Sequence, residues 1–370
     1  MALGRRYSSS VTTTVMQVLH QGGGAGSVTS TLHLSLGLAQ AGFGIRFVCP
    51  PHSDVERLAR AGGLDVFPLL LEPRRAWTNA GRLAELLRDR PVDLINSQSA
   101  RDRQALTLLA LTGRLRVPFV ATRRQMPQTL FVANWVTSRV AARMVAVSQA
   151  VGEALVRRGT PRRKLVVIPN GLITERIDVM VSEESLAWWR ERIGWEPSRR
   201  TIGIVARPKD QMVVLRALEQ VETPVRLVLA GVDPASEIGR QARTVSEPHL
   251  VVCVPFTPEI RPLYDLLELV LLPSRSEGLS QALLEAMALG KPVIASAATG
   301  NLDVITDGAD GRLVPARDPA AWAGAIEQLL ASPLQARRMA TAARITARDK
   351  FSLDRTIQRT AALYRSILHH

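Results

Sequence analysis

Two carboxylates, Glu277 and Glu285, are separated by seven residues in the stretch Pro273-Ser-Arg-Ser-Glu-Gly-Leu-Ser-Gln-Ala-Leu-Leu-Glu-Ala-Met-Ala-Leu-Gly-Lys-Pro-Val-Ile-Ala295. An apolar run, Leu269 to Leu272, precedes the stretch and reads as a buried strand. A second short strand, Pro292 to Ala295, closes it. Between them a loop leads into a helix over about Ser280 to Leu289, ended by Gly290. Glu277 lies in the loop and Glu285 on the helix. Gly278, Leu279 and Ser280 present free backbone N–H groups at the helix start, where the dipole is positive, so that end can take an anion. Glu285 lies roughly 8–9 Å along the axis from it, at about 1.5 Å per residue. A ligand with phosphates at the helix tip and hydroxyls on either side would meet both carboxylates, and a nucleotide sugar has that shape. A capping charge and a solvated surface glutamate would give the same pattern. Two features weigh against that reading: Glu285 is flanked by Leu284, Ala286 and Met287, and the carboxyl end of a parallel strand is where such sheets place ligands.

The elements that must position these groups repeat along the chain. Val15 to Leu19 reads as the first strand, followed by His20-Gln-Gly-Gly-Gly-Ala-Gly26 and an amphipathic helix from Ser27 to about Gln40. Strand, glycine loop and helix form an element that lets a phosphate approach backbone N–H groups. Its glycines do not fit the dinucleotide fingerprint, the next strand (Ile45 to Cys49) ends in Cys-Pro-Pro without an acidic residue for a ribose, and no Walker lysine follows. A tight turn that lets helix pack on sheet remains the alternative. Strand-like runs recur at Val66–Leu71, Asp93–Ile95, Phe119–Ala121, Met144–Val147 and Leu165–Ile168, alternating with helical patterns at about Ser53–Ala61, Asn79–Arg88, Asp102–Leu111, Asn134–Ala142 and Gln149–Arg158. Such βα repeats mean a parallel sheet covered on both faces. A second series opens at Thr201 to Ala206, where Arg207-Pro-Lys-Asp210 is expected to begin a helix to about Glu222. Two strand-end loops are richly polar: Asn96-Ser-Gln-Ser-Ala-Arg-Asp102 and Thr122-Arg-Arg-Gln-Met-Pro127.

The fold class expected is therefore α/β, with two Rossmann-like parallel-sheet domains facing across a cleft. The organisation expected is a flexible tail over 1–14, a first domain over 15–180, a connection over 181–200, a second domain over 201–350, and a last helix over 351–370 packing back on the first domain. Trp188, Trp189 and Trp195 in the connection are expected to serve packing. No apolar run approaches the roughly 18 residues that a membrane helix needs, and the first residues lack the apolar core of a secretory signal. Cys49 and Cys253 lie in strand-like runs and read as buried thiols rather than a disulfide or metal pair, which fits the cytosol.

The net charge of +14 is concentrated at one end: residues 1–180 hold 24 Lys and Arg against 11 Asp and Glu, and residues 181–370 hold 23 against 22. A basic domain beside a neutral one implies an anionic surface as partner, either nucleic acid or the acidic inner leaflet of a membrane. Aromatic residues are only 4% of the chain, which argues against stacking platforms for single-stranded nucleic acid.

These motifs resemble those of the family 4 glycosyltransferases, whose architecture is the two-Rossmann-domain GT-B fold. The resemblance spans about residues 15–365. It is strongest at Ala146-Val-Ser-Gln-Ala-Val with Val167-Ile-Pro-Asn-Gly171, and at Ser276-Glu-Gly-Leu-Ser with Glu-Ala-Met-Ala-Leu-Gly-Lys-Pro-Val-Ile-Ala295, which matches the family's E-x7-E signature. Asp307-Gly-Ala-Asp-Gly-Arg-Leu-Val-Pro315 matches the turn that follows. The resemblance implies that Glu277 holds sugar hydroxyls of the donor, that the N–H groups of Gly278, Leu279 and Ser280 hold its diphosphate, and that Glu285 holds the ribose. It implies that Arg207 and Lys209 neutralise the leaving diphosphate and that Gly23 and Gly24 approach the donor from the first domain. Here the arginine and lysine are separated by a single proline, a shortened loop. Where many members carry histidines after the fourth or fifth strand, this chain has Asn96-Ser-Gln98 and Arg123-Arg124. Ser99, Arg101, Asp102, Arg123 and Arg124 are the expected acceptor-side contacts.

The function so implied is a retaining transfer of sugar from a UDP- or GDP-sugar to a hydroxyl of a membrane-associated glycan or lipid, as in lipopolysaccharide or polysaccharide biosynthesis. No metal or other cofactor is expected, because no Asp-x-Asp motif occurs. The basic half would sit on the inner leaflet of the plasma membrane, making the enzyme cytoplasmic and peripheral, with no nucleic-acid partner. The alternatives are a sugar-nucleotide epimerase of the same architecture and a basic, non-catalytic nucleic-acid-binding protein.

Overall fold

The computed structural model describes residues 13–369 apart from 24–25, 129 and 175–176. Most of the tail expected at 1–14 and the expected donor contact Gly24 lie outside these described residues.

The first sheet contains β1 (Thr14–Val18), β2 (Gly44–Cys49), β3 (Asp65–Pro68), β4 (Leu94–Ser97), β5 (Phe119–Arg123), β6 (Arg143–Ala146) and β7 (Leu165–Val167). The second contains β8 (Arg200–Val205), β9 (Val225–Ala230), β10 (Leu250–Val254), β11 (Leu269–Leu272), β12 (Val293–Ser296) and β13 (Arg312–Val314). Their orders are β3-β2-β1-β4-β5-β6-β7 and β10-β9-β8-β11-β12-β13, and every neighbouring pair is parallel. The helices of the first half are α1 (Gly26–Gln40), α2 (Asp54–Ala61), α3 (Ala76–Asp89), α4 (Ala100–Leu111), α5 (Phe131–Val140) and α6 (Gln149–Arg157). Those of the second half are α7 (Glu183–Ile193), α8 (Met212–Leu218), α9 (Glu237–Ala242), α10 (Arg261–Leu266), α11 (Gln281–Ala288), α12 (Pro319–Ala331), α13 (Pro333–Lys350) and α14 (Leu353–Leu368).

Strand order reverses between β1 and β4 in one sheet and between β8 and β11 in the other. Crevices at the carboxyl ends of such strand pairs receive ligands. The four loops that open there are the glycine loop after β1, Gln98-Ser99 after β4, Arg207–Gln211 after β8 and Pro273–Ser280 after β11. The sequence motifs thus fall at the two topological switch points.

Apolar runs on both faces of the strands explain the burial: β4, β5, β9, β11 and β12 are buried along their whole length. The chain crosses between the halves twice, side by side. Leu172 N–H donates to the Phe351 carbonyl at 2.6 Å, and a Cβ on Gly171 would lie 2.4 Å from the Leu353 Cα. From there α14 runs back along α1, where a Cβ on Gly37 would lie 2.1 Å from Ile357 Cδ1. The Tyr364 hydroxyl accepts from Gln17 Nε2 at 3.0 Å and Asn96 Nδ2 at 2.6 Å beneath the first sheet's switch point.

Several elements differ from expectation: β3 ends at Pro68 rather than Leu71, and α3 starts at Ala76 rather than Asn79. The helix expected from Arg207 begins only at Met212, because the buried Gln211 side chain accepts from Lys209 N at 2.6 Å and donates to the Arg207 carbonyl at 2.8 Å, holding a bent loop instead. A short helix, α10, starts at Arg261 with Pro262 in its first turn, where proline's missing N–H costs nothing. Helix α5 starts at Phe131 rather than Asn134, and Phe131, Val132 and Trp135 on it are exposed while Val140 packs against the core. In the connection, Trp189 is buried with Nε1 donating to the Glu259 carbonyl at 3.2 Å, while Trp188 packs edge-on against it at 5.1 Å and stays half exposed.

Candidate active site

Ser280 caps α11 by accepting from Leu283 N at 3.3 Å, as the residue type requires at that position. The loop in front of it is pinned from both sides. A Cβ on Gly278 would lie 2.1 Å from the Arg124 carbonyl oxygen of the first domain. A Cβ on Gly300 would lie 2.1 Å from the Gly278 carbonyl oxygen. Glu277 N donates to Thr299 Oγ1 at 2.9 Å, and Gly300 N donates to the Glu277 carbonyl at 3.2 Å. Glycines at 278 and 300 therefore allow three backbone segments to meet at the head of α11. A further contact crosses between the halves nearby, where Ala150 N donates to Asp303 Oδ2 at 3.0 Å.

Charges join the loops after β8 and β11. The Lys209 ammonium is paired with the Glu277 carboxylate. Asp210 holds both the backbone N of Arg275, at 2.9 Å, and its guanidinium. Arg207 is exposed, with its carbonyl held by Gln211. Glu285 lies in the second turn of α11, 7% exposed, with the Tyr264 hydroxyl 3.5 Å from its Oε2. It faces a cavity of about 390 Å³ whose apolar walls include Ile177, Val179, Met180, Pro258 and Ile260. A carboxylate among apolar walls suits two vicinal hydroxyls beside a flat heterocycle.

The glycine loop comes to the same helix tip from the first domain: a Cβ on Gly26 would lie 3.5 Å from Gln281 Cγ. Both side-chain amide atoms of Gln281 are buried without a hydrogen-bond partner among the described residues. Buried polar atoms of this kind cost free energy unless a ligand or water meets them. Gly23 opens to space, with nothing within 4 Å of a built Cβ. Gly22 instead serves packing, since its Cβ would lie 2.6 Å from Ser53 Cβ.

A second cavity, of about 300 Å³, opens in the first domain and is lined by His20, Ser99, Arg103, Arg123 and Arg124 among others. Asp102, fully buried, organises it from behind. Its Oδ2 accepts from Gln98 N at 2.7 Å and Ser99 N at 2.9 Å, while Oδ1 faces Ser99 Oγ and, at 3.2 Å, His20 Nδ1. His20 Nδ1 also lies 2.6 Å from Ser99 Oγ. Arg103 Nη1 donates to the Ser99 carbonyl at 2.8 Å. Arg124 Nε donates to Gln98 Oε1 at 3.0 Å, and its Nη1 to Asn170 Oδ1. Burial pulls the Arg124 pKa down to about 10. Burial, then the charges of Arg103 and Arg158, pull that of Arg123 down to about 9. Burial lowers that of Arg103 too, against the opposing pull of Asp102.

The structure thus gathers Ser99, Arg123 and Arg124 at one cavity and sets Asp102 behind it. Arg101 is directed elsewhere, with Nη1 donating to the Leu71 carbonyl at 3.0 Å. Residues two apart on a helix face different ways, so Arg103 reaches the cavity and Arg101 does not. His20, Arg103 and Gln281 were not among the expected site residues, although His20 and Gln281 lie within the glycine-loop and E-x7-E stretches. For His20 the available signal was its place as the first residue between the expected strand and the glycine run.

Two doubly wound parallel-sheet domains meeting at their switch points constitute the GT-B architecture. Residues 24–176 match the family described as Glycosyltransferase Family 4, and residues 199–332 match that described as Glycosyl transferases group 1. The chain belongs to the family 4 glycosyltransferases of the GT-B fold. It is 32% identical over 218 residues to the D-inositol 3-phosphate glycosyltransferase of Xylanimonas cellulosilytica, covering 55% of this chain and 52% of that protein. It is 29% identical over 283 residues to the enzyme of that name from Rhodococcus erythropolis, covering 68% and 63%. The matched region spans from about half to less than two thirds of these curated relatives. In fold it resembles Anabaena HepE (Alr3699), solved with UDP-glucose, at TM-score 0.82 and 18% identity over 95% of this chain and 99% of that one.

Proposed function

We propose that the protein transfers a glycosyl group from a UDP- or GDP-sugar to a hydroxyl of a membrane-associated glycan or lipid. The observation that carries this reading is the convergence at the head of α11. There the Glu277–Lys209 pair, the Gly278 loop, the unpartnered Gln281 amide and the first domain's Arg124 and Gly26 come together. Breaking the glycosidic bond to a diphosphate builds negative charge on the leaving oxygen. Lys209, Arg207 and the α11 N–H groups stabilise that charge without a metal. Glu277 exchanges its Lys209 partner for donor hydroxyls, and Glu285 takes the ribose. The acceptor occupies the His20–Arg124 cavity of the first domain. Anomeric configuration is retained, with no side-chain nucleophile assigned.

A thermal-shift panel of UDP, GDP, ADP and their sugars tests the donor site. A bound nucleotide stabilises the fold by about 2.7 kcal/mol at a hundredfold excess over Kd. The expected result is stabilisation by one base, reduced in Glu285→Ala; no response to any nucleotide overturns the reading. Donor turnover without acceptor would point to an epimerase, and a salt-dependent DNA shift without nucleotide competition to the non-catalytic reading. A second acceptor class, a phosphorylated polyol in solution, is supported by the relatives' named acceptor and by three nearly buried arginines lining one cavity. Comparing membrane-bound with soluble acceptors separates the two.

A further inference from the structure

Behind the head of α11, where the chain crosses between the halves, lies a cleft of about 590 Å³, larger than either cavity described above and sharing no lining residue with them. Its floor is apolar. Val147, Leu279 and Phe351 belong to one buried cluster that joins the two halves, with Val167 packed against it. Ser148, at the start of α6, walls the cleft from the first domain and Asp303 from the second.

The rim is cationic. Lys350 ends α13, and Arg355 and Arg359 follow on α14. All three are exposed, and none has an ion-pair or side-chain hydrogen-bond partner among the described residues. Arg355 and Arg359 stand four apart on one helix face, a spacing at which like charges destabilise a helix unless an anion lies between them. Asp303 is the one carboxylate in the wall, and it is already engaged: its Oδ2 accepts from Ala150 N at 3.0 Å, at the positive end of α6. An excess of positive charge over an apolar floor suits a ligand that is negative at one end and organic at the other. Two guanidinium forks on one face match the oxygens of a phosphate.

We propose that this cleft binds a small organic phosphate, with the phosphate among Lys350, Arg355 and Arg359 and the organic part on Val147, Leu279 and Phe351, and that its occupancy draws the halves together. The ligand touches the first domain at Ser148, the second at Leu279 and Asp303, and the crossing at Phe351, so it binds best when all three are assembled. Leu279 links the cleft to the transfer site. Its side chain, 6% exposed, forms part of the floor, and its N–H belongs to the loop at the head of α11 that the donor reading assigns to the diphosphate. Occupancy of one site thus raises affinity at the other by the same factor. This coupling rests on the proposed donor site, whereas binding in the cleft does not.

Hydrogen exchange of the full chain with glucose 6-phosphate as the probe tests this, with and without UDP. Protection is expected in the backbone amides of residues 147–152 and 350–359. Inorganic phosphate should protect them less, because it leaves the apolar floor uncovered. Saturating probe should lower the Kd for UDP at least about fivefold. Arg355→Gln/Arg359→Gln removes two exposed side chains without partners, so unfolding temperature and UDP binding in the absence of probe stay unchanged, while protection and coupling are lost. The proposal is overturned by no protection of those segments, by equal protection in the double variant or with sodium chloride at matched ionic strength, or by an unchanged Kd for UDP. Protection confined to residues 98–103 and 122–126 also overturns it, since the phosphate would then lie in the acceptor cavity. UDP that fails to bind at all overturns the donor reading and with it the coupling, while protection by the probe alone still decides the cleft.

Discussion

Replacing Gly278 by alanine tests whether the halves must meet for transfer. The added Cβ would sit 2.1 Å from the Arg124 carbonyl oxygen and 2.9 Å from its carbon, both backbone atoms. Ordinary contact is about 3.4 Å or more, so the segments must part by over an ångström, and neither is a flexible side chain that can swing away. The φ angle of Gly278 is not positive, so alanine suits the local backbone and α11 still forms. The strain falls on the contact between domains. Taking about 1–3 kcal/mol for overpacking, kcat should fall between about 5- and 150-fold. Steady-state kinetics at saturating donor measures this, and a thermal scan checks the fold. A control is Gly81→Ala in α3, where a Cβ meets nothing within 4 Å. That change should raise stability by about 0.5–1 kcal/mol and leave kcat alone. Wild-type kcat in Gly278→Ala would refute the requirement for closure at this point.

Three further outcomes are expected. Glu285→Ala should abolish transfer, with at least about a hundredfold loss, while the protein keeps its fold; normal turnover by that variant would remove Glu285 from the donor site. On the proposal that Lys209, Arg207 and the α11 tip carry the leaving-group charge, turnover should persist in excess chelator; loss restored by a divalent cation would contradict it. The Tyr364 hydroxyl, pushed up from 10.0 to about 12 by burial, stays protonated in the folded state while the unfolded chain ionises. Its contribution is therefore present below pH 10 and lost as pH rises from 10 to 12. Tyr364→Phe should lower stability at pH 8 by about 1–3 kcal/mol, because Gln17 and Asn96 lose an acceptor, and should flatten the decline above pH 10 in a melting series.

The parallel sheets were legible because a strand buried on both faces must be apolar along its length. Leu269–Leu272, apolar and buried throughout, follows that rule, and the observed strand has the same bounds. The head of α11 was legible because helix starts need capping groups and Ser280 supplies one. Helix α5 was harder. A reading that puts apolar side chains inside starts it at Asn134, whereas the fold puts Asn134 inside and Phe131 outside. The loop after β8 was read as the start of a helix because nothing local announces that Gln211 will fold back onto Arg207 and Lys209.

By itself the amino-acid order determined the βα repeat, the switch-point loops, the E-x7-E pair and the excess of positive charge in the first half. These depend on neighbours a few residues apart, which periodicity and turn chemistry report directly. Only the tertiary structure decided that Gly278 meets Arg124, that Lys209 pairs with Glu277, and that Asp102 draws Ser99 and His20 together across 82 positions of chain. It also turned Arg101 away and brought Arg103 in. Such pairings arise where segments far apart in the chain converge at strand ends, and no local preference encodes which side chains will face each other there.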